Sequence, residues 1–414
     1  MAFLVMAAAT CSAADRVKIT VSNPAALVRS GEMVEVPLSV VQKKLGTTVR
    51  DIVVTDADGR ELASQQTHDG LLIFQAAVGS KGRSVYYARV GTPQVYESRV
   101  FGRQFPERVD DVAWENDRVA YRCYGPALQR SGERAWGYDI WNKRTNRLVV
   151  EDRYALELDP EVASVSRKLR GMGQGELAQE LYYAVSYHVD HGNGMDCYKV
   201  GPTLGAGTMA LLDGESGDIV YPHCYASHEI LDCGPLRFTV RLVYPAETVN
   251  GQQVVETRVV SLDAGSQMNK AVVTYEGLTR PMRTAVGIVV HNENPTAYVL
   301  NPSAGYMGYE DLGDVNQYKE AWREKLNKDF GQIYVGSVFA GPVTGMEFRE
   351  GSGLPGACGH ILGISDCRNA TAITYYFGSG WSRNESTSFH SLKDWEAYLT
   401  DFATRVKKPL KVKF

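Results

Sequence analysis

The sequence predicts a mainly β protein, with an N-terminal β-sandwich followed by a larger antiparallel β-sandwich. Three observations carry this reading. Short segments alternate apolar and polar residues, turn signals such as Asp58-Gly59 and Gly79-Ser80 separate them, and β-branched and aromatic residues crowd them beyond what helices favour. At 414 residues the chain can bury more than one core.

Residues 1–16 read as a signal or leader segment, an apolar run ending in small residues, although no positive residues precede it. An exported, periplasmic protein is therefore expected. No later apolar run is long enough to cross a bilayer, so no membrane span is expected. Apart from Cys11, six cysteines remain: Cys123, Cys197, Cys224, Cys233, Cys358 and Cys367. In an exported chain they permit disulfides, with Cys224–Cys233 and Cys358–Cys367 at hairpin-like separations; buried free thiols are the alternative. A net charge of -4 and a pI near 6.1 give no basic signature, which argues against nucleic acid as the main partner. A local basic pocket for an anionic ligand stays open.

From residue 17 to 103, VKITVS, MVEVPLSV, DIVVTDADG, GLLIFQAAV and SVYYARV read as five strands of a small sandwich without clustered ionisable groups. Residues 104–414 form the larger, catalytic domain. VAWENDRVAYRCYG is a long strand candidate, GYDIWNKRTNRLVVEDRY reads as another, and GELAQELYYA as a short helix. GTMALLD, DIVYP, LRFTVRLVYPAE, GQQVVETRVVSLDAGS, NKAVVTYEG, RTAVGIVVHNENP, GQIYVGSVFAG and ATAITYYFGSGW follow as strands. Two apolar stripes predict helices near the end, one through Val315, Tyr318, Trp322, Leu326 and Phe330, the other through Trp395, Leu399, Phe402 and Val406. Ser391 with Asp394 reads as a capping box for the second.

The chemistry concentrates in YHVDHGNGMDCYKVGPTLGAGT, residues 187–208. His188, His191, Asp190, Asp196, Cys197, Tyr198 and Lys199 crowd a stretch whose glycines turn the backbone sharply, and loops on a rigid scaffold are where reactive groups usually sit. A polar loop with backbone-capping histidines is the bland alternative. No P-loop, HExxH, GxSxG or CxxC pair is present.

WENDRVAYRCYGPAL at 114–128, GYDIW at 137–141, the 187–211 stretch YHVDHGNGMDCYKVGPTLGAGTMAL and SLDAGSQMNK at 261–270 resemble the family of exported bacterial proteins named domain of unknown function 4861, over nearly the whole chain. That family occurs in polysaccharide-degrading systems and includes a dehydratase acting on ulvan oligosaccharides. The resemblance implies a role in breaking down uronate-containing glycans, and a supersandwich like that of galactose-mutarotase-like proteins.

A uronate dehydratase works by β-elimination: a base removes the proton at C5, beside the carboxylate, while a group leaves C4. That needs a base, an acid for the departing oxygen, and a cation or donor at the carboxylate. The loop and the neighbouring strand supply either His191 or Tyr198 as base with the other as acid, and Lys199 and Arg118 as cations beside the carboxylate. His188, Tyr121, Tyr124, Glu115, Trp141 and His291 are the expected substrate-binding residues, and a uronate-containing oligosaccharide is the expected partner. No cofactor is required, but a divalent metal held by His, Asp and Glu between 188 and 293 is an alternative without a recognised ligand spacing. Other readings are a polysaccharide lyase, a hydrolase using Glu115 and Asp139 as its carboxylate pair, and a non-catalytic glycan-binding protein.

Overall fold

A computed structural model describes residues 15–414 except 314–317, 324, 327, 328, 352 and 388. The chain is mainly β, built of several antiparallel sheets, and divides into two compact units. One takes in the chain up to Glu97 together with Lys408–Phe414, and the other is Ser98–Lys407. The last strand, Lys411–Lys413, therefore pairs with Val17–Ser22 of the first unit, where the sequence had assigned everything beyond 103 to the second domain.

In the first unit a five-stranded sheet, Lys411–Lys413 / Val17–Ser22 / Arg83–Val90 / Ile52–Thr55 / Glu61–Leu62, is joined by a three-stranded one, Arg29–Pro37 / Leu71–Val78 / Ser64–Gln66. Ile19, Val21, Val36, Val54 and Phe74 lie in one core cluster. The strand expected over 33–40 stops at Pro37, which has no N–H for a ladder, and Leu38–Leu45 coils instead. Leu38, Val41 and Leu45 recur at helical spacing and are buried.

The second unit holds three sheets. Gly194–Asp196 / Asp139–Lys143 / Ala120–Cys123 / Asp111–Asn116 / Val100–Phe105 form one, and Ile219–Val220 / Ala206–Leu212 / Met282–His291 / Ala357–Cys367 / Gly345–Glu350 another. The largest has nine strands and includes Arg237–Val243, Gln252–Asp263, Met268–Glu276, Ile373–Trp381, Gln332–Phe339 and Tyr306–Leu312. The first of these sheets lies against the largest through aromatic rings: Trp114 stacks on Phe238, Tyr138 on Phe377 at 4.3 Å, and the Trp114 indole N–H donates to Asn269 Oδ1 at 2.8 Å.

Helix Leu392–Lys407 packs on this sheet where glycines make room. Gly308 and Gly336 face each other in register, and a methyl group on either would sit 2.8 Å from a Leu399 methyl. Trp395 and Leu399 are fully buried there, so truncating Trp395 would cost about 3–5 kcal/mol. The expected capping box is present: Ser391 Oγ accepts the Asp394 N–H at 3.2 Å and donates to the Asp394 carboxylate at 2.8 Å.

Four expectations need correction. The long strand from Val112 is a hairpin, because Asn116 Oδ1 accepts the N–H groups of Arg118 and Val119 at 2.8 and 2.9 Å and turns the chain. In the second aromatic segment only Asp139–Lys143 is strand, and Val150–Glu157 is helix. Pro160–Gly171, passed over in the sequence, is also helix, with Asp159 accepting the N–H groups of Glu161 and Val162 ahead of Pro160. The stripe over 315–330 yields only Glu320–Arg323 as helix, Val315 lying outside the described residues. The six described cysteines are free. Cys358 and Cys367 stand at the two ends of one extended strand, at about 3.3 Å per residue too far apart to bond. Cys224 and Cys233 likewise flank the strand Ser227–Cys233.

Candidate functional site

The hairpin sorts the strand residues by role. Glu115, fully buried, receives the Lys143 ammonium at 2.5 Å on one oxygen and the N–H groups of Val149 and Val150, both at 2.7 Å, on the other. Both oxygens are thus spent on an ion pair and a helix N-terminus. Tyr121, also buried, lies in the aromatic core with its hydroxyl 2.9 Å from Ser379 Oγ. Trp141 packs between Tyr154 and Tyr187. These three are core and scaffold. Arg118 sits at the hairpin tip, partly exposed, donating to the Ser386 carbonyl at 2.9 Å.

Tyr124 belongs to a buried polar knot centred on Arg122. The Arg122 guanidinium meets Asp139, Asp196 (3.0 Å) and, more loosely, Asp111 (3.8 Å), and donates to the hydroxyls of Tyr124 and Tyr187 at 3.2 and 3.4 Å. Tyr124 in turn donates to Asp139 at 3.0 Å. Three carboxylates around one guanidinium leave excess negative charge away from water. Burial pushes Asp111 up to about 6 against the pull of Arg122 and Arg108, and burial with the Asp196 charge raises Asp139 as well. His188 is partly exposed, its Nδ1 3.1 Å from the Asp196 carbonyl and 3.7 Å from its carboxylate.

The central loop then delivers Tyr198 to a second constellation. Tyr198 is 5% exposed, and among the described residues its hydroxyl has no hydrogen-bond partner. Its ring meets the His291 imidazole edge-on, centroids 5.9 Å apart. His291 ends the strand Met282–His291. Its Nδ1 lies 2.8 Å from Asp311 Oδ2, and the Tyr309 hydroxyl donates to the other Asp311 oxygen at 3.1 Å. Its Nε2 is buried, faces the Lys199 backbone, and makes no hydrogen bond of normal geometry among the described residues. The Lys199 ammonium lies near Gly356, where an added methyl group would sit 3.6 Å from it, and the Gly356 carbonyl accepts the N–H of Asn292, the residue after His291.

Electrostatics separates the two proton carriers. Burial would depress the His291 imidazole, but the Asp311 charge and hydrogen bond outweigh it and raise its pKa above the ordinary value. Burial and the same Asp311 charge push the Tyr198 phenol well above 10. His360, fully buried behind them, is pushed down to about 4 by burial and by the charge of His291, and its Nε2 accepts the Leu204 N–H at 3.3 Å. At neutral pH Tyr198 therefore holds its proton, and His291 titrates above the usual imidazole value.

Of the residues singled out in the sequence, Tyr198, Lys199 and His291 come together. His191 does not join them: it is exposed, and its Nε2 lies 3.0 Å from the Ser186 carbonyl. Asp311 and Tyr309 were missed. Their signal was an inverted alternation in YMGYEDL, where Asp311 takes a buried position and the following Leu312 an exposed one. Among the described residues, no group of three or more His, Cys, Asp and Glu side chains is arranged to hold a metal ion. No helix among them is long and apolar enough to cross a membrane.

Residues 21–412 match the family described as Domain of unknown function (DUF4861). The chain belongs to that family. A relative from Formosa agariphila, described as uncharacterized protein P7, is 24% identical over 420 residues, covering 95% of this chain and 92% of its own. Among solved structures, an alpha-mannosidase from Enterococcus faecalis V583 matches at 10% identity and a TM-score of 0.46, over 96% of this chain and 46% of that one. A glycosyl hydrolase family 38 protein from Enterococcus faecalis matches at 9% identity and a TM-score of 0.48, over 96% and 47%. The chain spans less than half the length of these two proteins.

Proposed function

We propose that the protein is an exported, periplasmic carbohydrate-active enzyme that eliminates water from the terminal uronic acid of uronate-containing oligosaccharides such as ulvan fragments. The observation that carries the reading is the pairing of a buried Tyr198 hydroxyl, without a hydrogen-bond partner among the described residues, with an Asp311-backed imidazole, the Lys199 ammonium lying near the adjoining Gly356. The family resemblance supplies the substrate class.

The roles follow from protonation. His291 Nε2 takes the C5 proton, with Asp311 fixing the tautomer at Nδ1 and stabilising the imidazolium that forms. The C5–H electron pair becomes the C4=C5 double bond, and the C4 hydroxyl leaves as water with the proton of Tyr198. Lys199 neutralises the charge that builds on the carboxylate. The proton held by His291 then returns to the Tyr198 phenolate through solvent, restoring both groups. This revises the sequence assignment in one place, His291 taking the part expected of His191, and of the two roles left open for Tyr198 it takes that of the acid, its phenol being held above 10.

The hydrolase alternative loses its carboxylate pair, since Glu115 spends both oxygens on Lys143 and a helix N-terminus. The test is incubation with saturated uronate oligosaccharides followed by mass spectrometry. A product one water lighter, uncleaved and newly absorbing in the ultraviolet, is expected. Cleavage to an unsaturated and a saturated fragment would make the enzyme a chain-cleaving lyase, reducing ends without unsaturation a hydrolase, and binding without a product a glycan-binding protein.

A further inference from the structure

The loop that carries Tyr198 also carries Asp190, which the reaction does not use. Asp190 is almost inaccessible, with 1% of its side chain exposed. Its Oδ1 accepts the N–H groups of Gly192 and Gly194 at 2.8 and 3.0 Å, fixing the turn. Its Oδ2 faces two guanidinium groups from different elements, Arg144 at 3.4 Å and Arg383 at 3.7 Å. Charge-assisted hydrogen bonds close to about 2.7–2.9 Å, so neither arginine is drawn fully onto this carboxylate. Arg144 also meets the exposed Glu385 at 3.2 Å, and Arg383 donates to the Asp329 carbonyl.

A third guanidinium meets the 384–386 turn at Ser386: Arg118 donates to the Ser386 carbonyl and, among the described residues, has no carboxylate partner. Its own carbonyl accepts the Asn384 amide at 3.4 Å, so two hydrogen bonds join the hairpin tip to the turn. Arg118 and Asn384 border a narrow cleft whose floor holds two buried polar atoms without partners among the described residues, the Trp141 indole N–H and Gln267 Oε1. The side chains of Arg144 and Arg383 are 35% and 19% exposed, open enough to meet a ligand and enclosed enough for its charge to be felt.

We propose that Arg118, Arg144 and Arg383 form a subsite for an anionic substituent, a carboxylate or sulfate ester, on a sugar next to the one that reacts. The planar fork of a guanidinium pairs with either anion through two parallel N–H donors, which a lysine cannot do. Asp190 is the positioning residue that holds Arg144 and Arg383 side by side, and the loop between residues 190 and 198 ties their place to that of Tyr198. The proposal rests on the glycan reading for its ligand class but not on the elimination chemistry.

The test is calorimetric binding of three probes to the Tyr198→Phe protein, which retains this face: trigalacturonate, a sulfated neutral trisaccharide, and cellotriose. At low salt the anionic probes are expected to bind at least tenfold more tightly than cellotriose, and the preference should shrink as salt is raised. Arg144→Gln with Arg383→Gln should remove it. Arg118→Gln, whose side chain gives up only a carbonyl contact and so leaves the fold intact, should weaken it by roughly threefold to tenfold. Tighter binding of one anionic probe than the other identifies the substituent. Equal affinity for charged and neutral probes, or an anion preference that survives in both the double variant and Arg118→Gln, would overturn the proposal. An anion preference without any elimination activity in the wild-type protein would leave this subsite standing and sink the dehydratase reading instead.

Discussion

Two buried polar constellations lie along the same loop, and they differ in charge and pairing, although the first also holds one atom, Asp111 Oδ1, without a hydrogen-bond partner among the described residues. Around Arg122, Asp139 Oδ2 takes the guanidinium and the Tyr124 hydroxyl while its Oδ1 takes the Ile140 N–H, and Asp196 shares the same cation. Around His291, Asp311 is equally well bonded, yet among the described residues Tyr198 Oη has no hydrogen-bond partner and His291 Nε2, which faces the Lys199 backbone, has none of normal geometry. Unpaired buried polar atoms cost free energy, on the order of 1–3 kcal/mol each, and persist where another group completes them. Charge density therefore does not by itself mark a reactive site: the knot with more charges spends them on one another, and the quieter pair is the one to which the proposed reaction is assigned.

The largest effect that would break this contrast is on stability. Arg122→Met removes the cation from three buried carboxylates, and denaturant unfolding should show a loss of about 3–5 kcal/mol. A variant as stable as the parent would mean that the knot is not structural.

Next in size is Asp311→Asn. The raised pKa of His291 means that its pairing with Asp311 stabilises the fold fully below the ordinary imidazole value near 6.5, and that this stability is lost as pH rises through the raised value. Catalysis runs the other way, because the base must be neutral: turnover in the parent should climb with pH through that raised pKa. Asp311→Asn should lower turnover by roughly a hundredfold or more and shift the acid limb of the pH profile to lower pH. An unmoved limb would separate His291 from the titration that governs the rate.

The smallest effect is expected at His191→Ala. An exposed ring touching one carbonyl should change stability by less than about 0.5 kcal/mol and leave turnover near that of the parent. A large loss of turnover would restore His191 to the role its sequence context suggested.

The fold was legible where alternation is regular. Gln252–Asp263 lies within a segment read as a strand, Met268–Glu276 and Met282–His291 each begin one residue before theirs, and Trp395, Leu399 and the Ser391 cap marked their helix by spacing alone. It was illegible where one side chain overrides the pattern, as at Asn116, whose carboxamide folds a strand-like run into a hairpin, and at Pro37. The site was half legible for a related reason. Tyr198 and Lys199 stood out because they are adjacent in sequence to other reactive groups, whereas Asp311 reaches His291 from a different sheet, a pairing that no sequence adjacency announces. His191 and Glu115 misled because residue type says nothing about which way a side chain faces or whether its atoms are already spent.

The central claim is that Tyr198 and His291 carry the proton transfers while the Arg122 knot only holds them in place. It is tested most directly by turnover and thermal unfolding of Tyr198→Phe and His291→Ala on an oligosaccharide that the parent dehydrates. Turnover should fall on the order of a hundredfold to ten-thousandfold in each, with the melting temperature of Tyr198→Phe close to that of the parent and that of His291→Ala lowered by the loss of its pairing with buried Asp311 while the protein still folds. Near-parental turnover in either variant, or loss of activity that merely follows loss of folded protein, would contradict it.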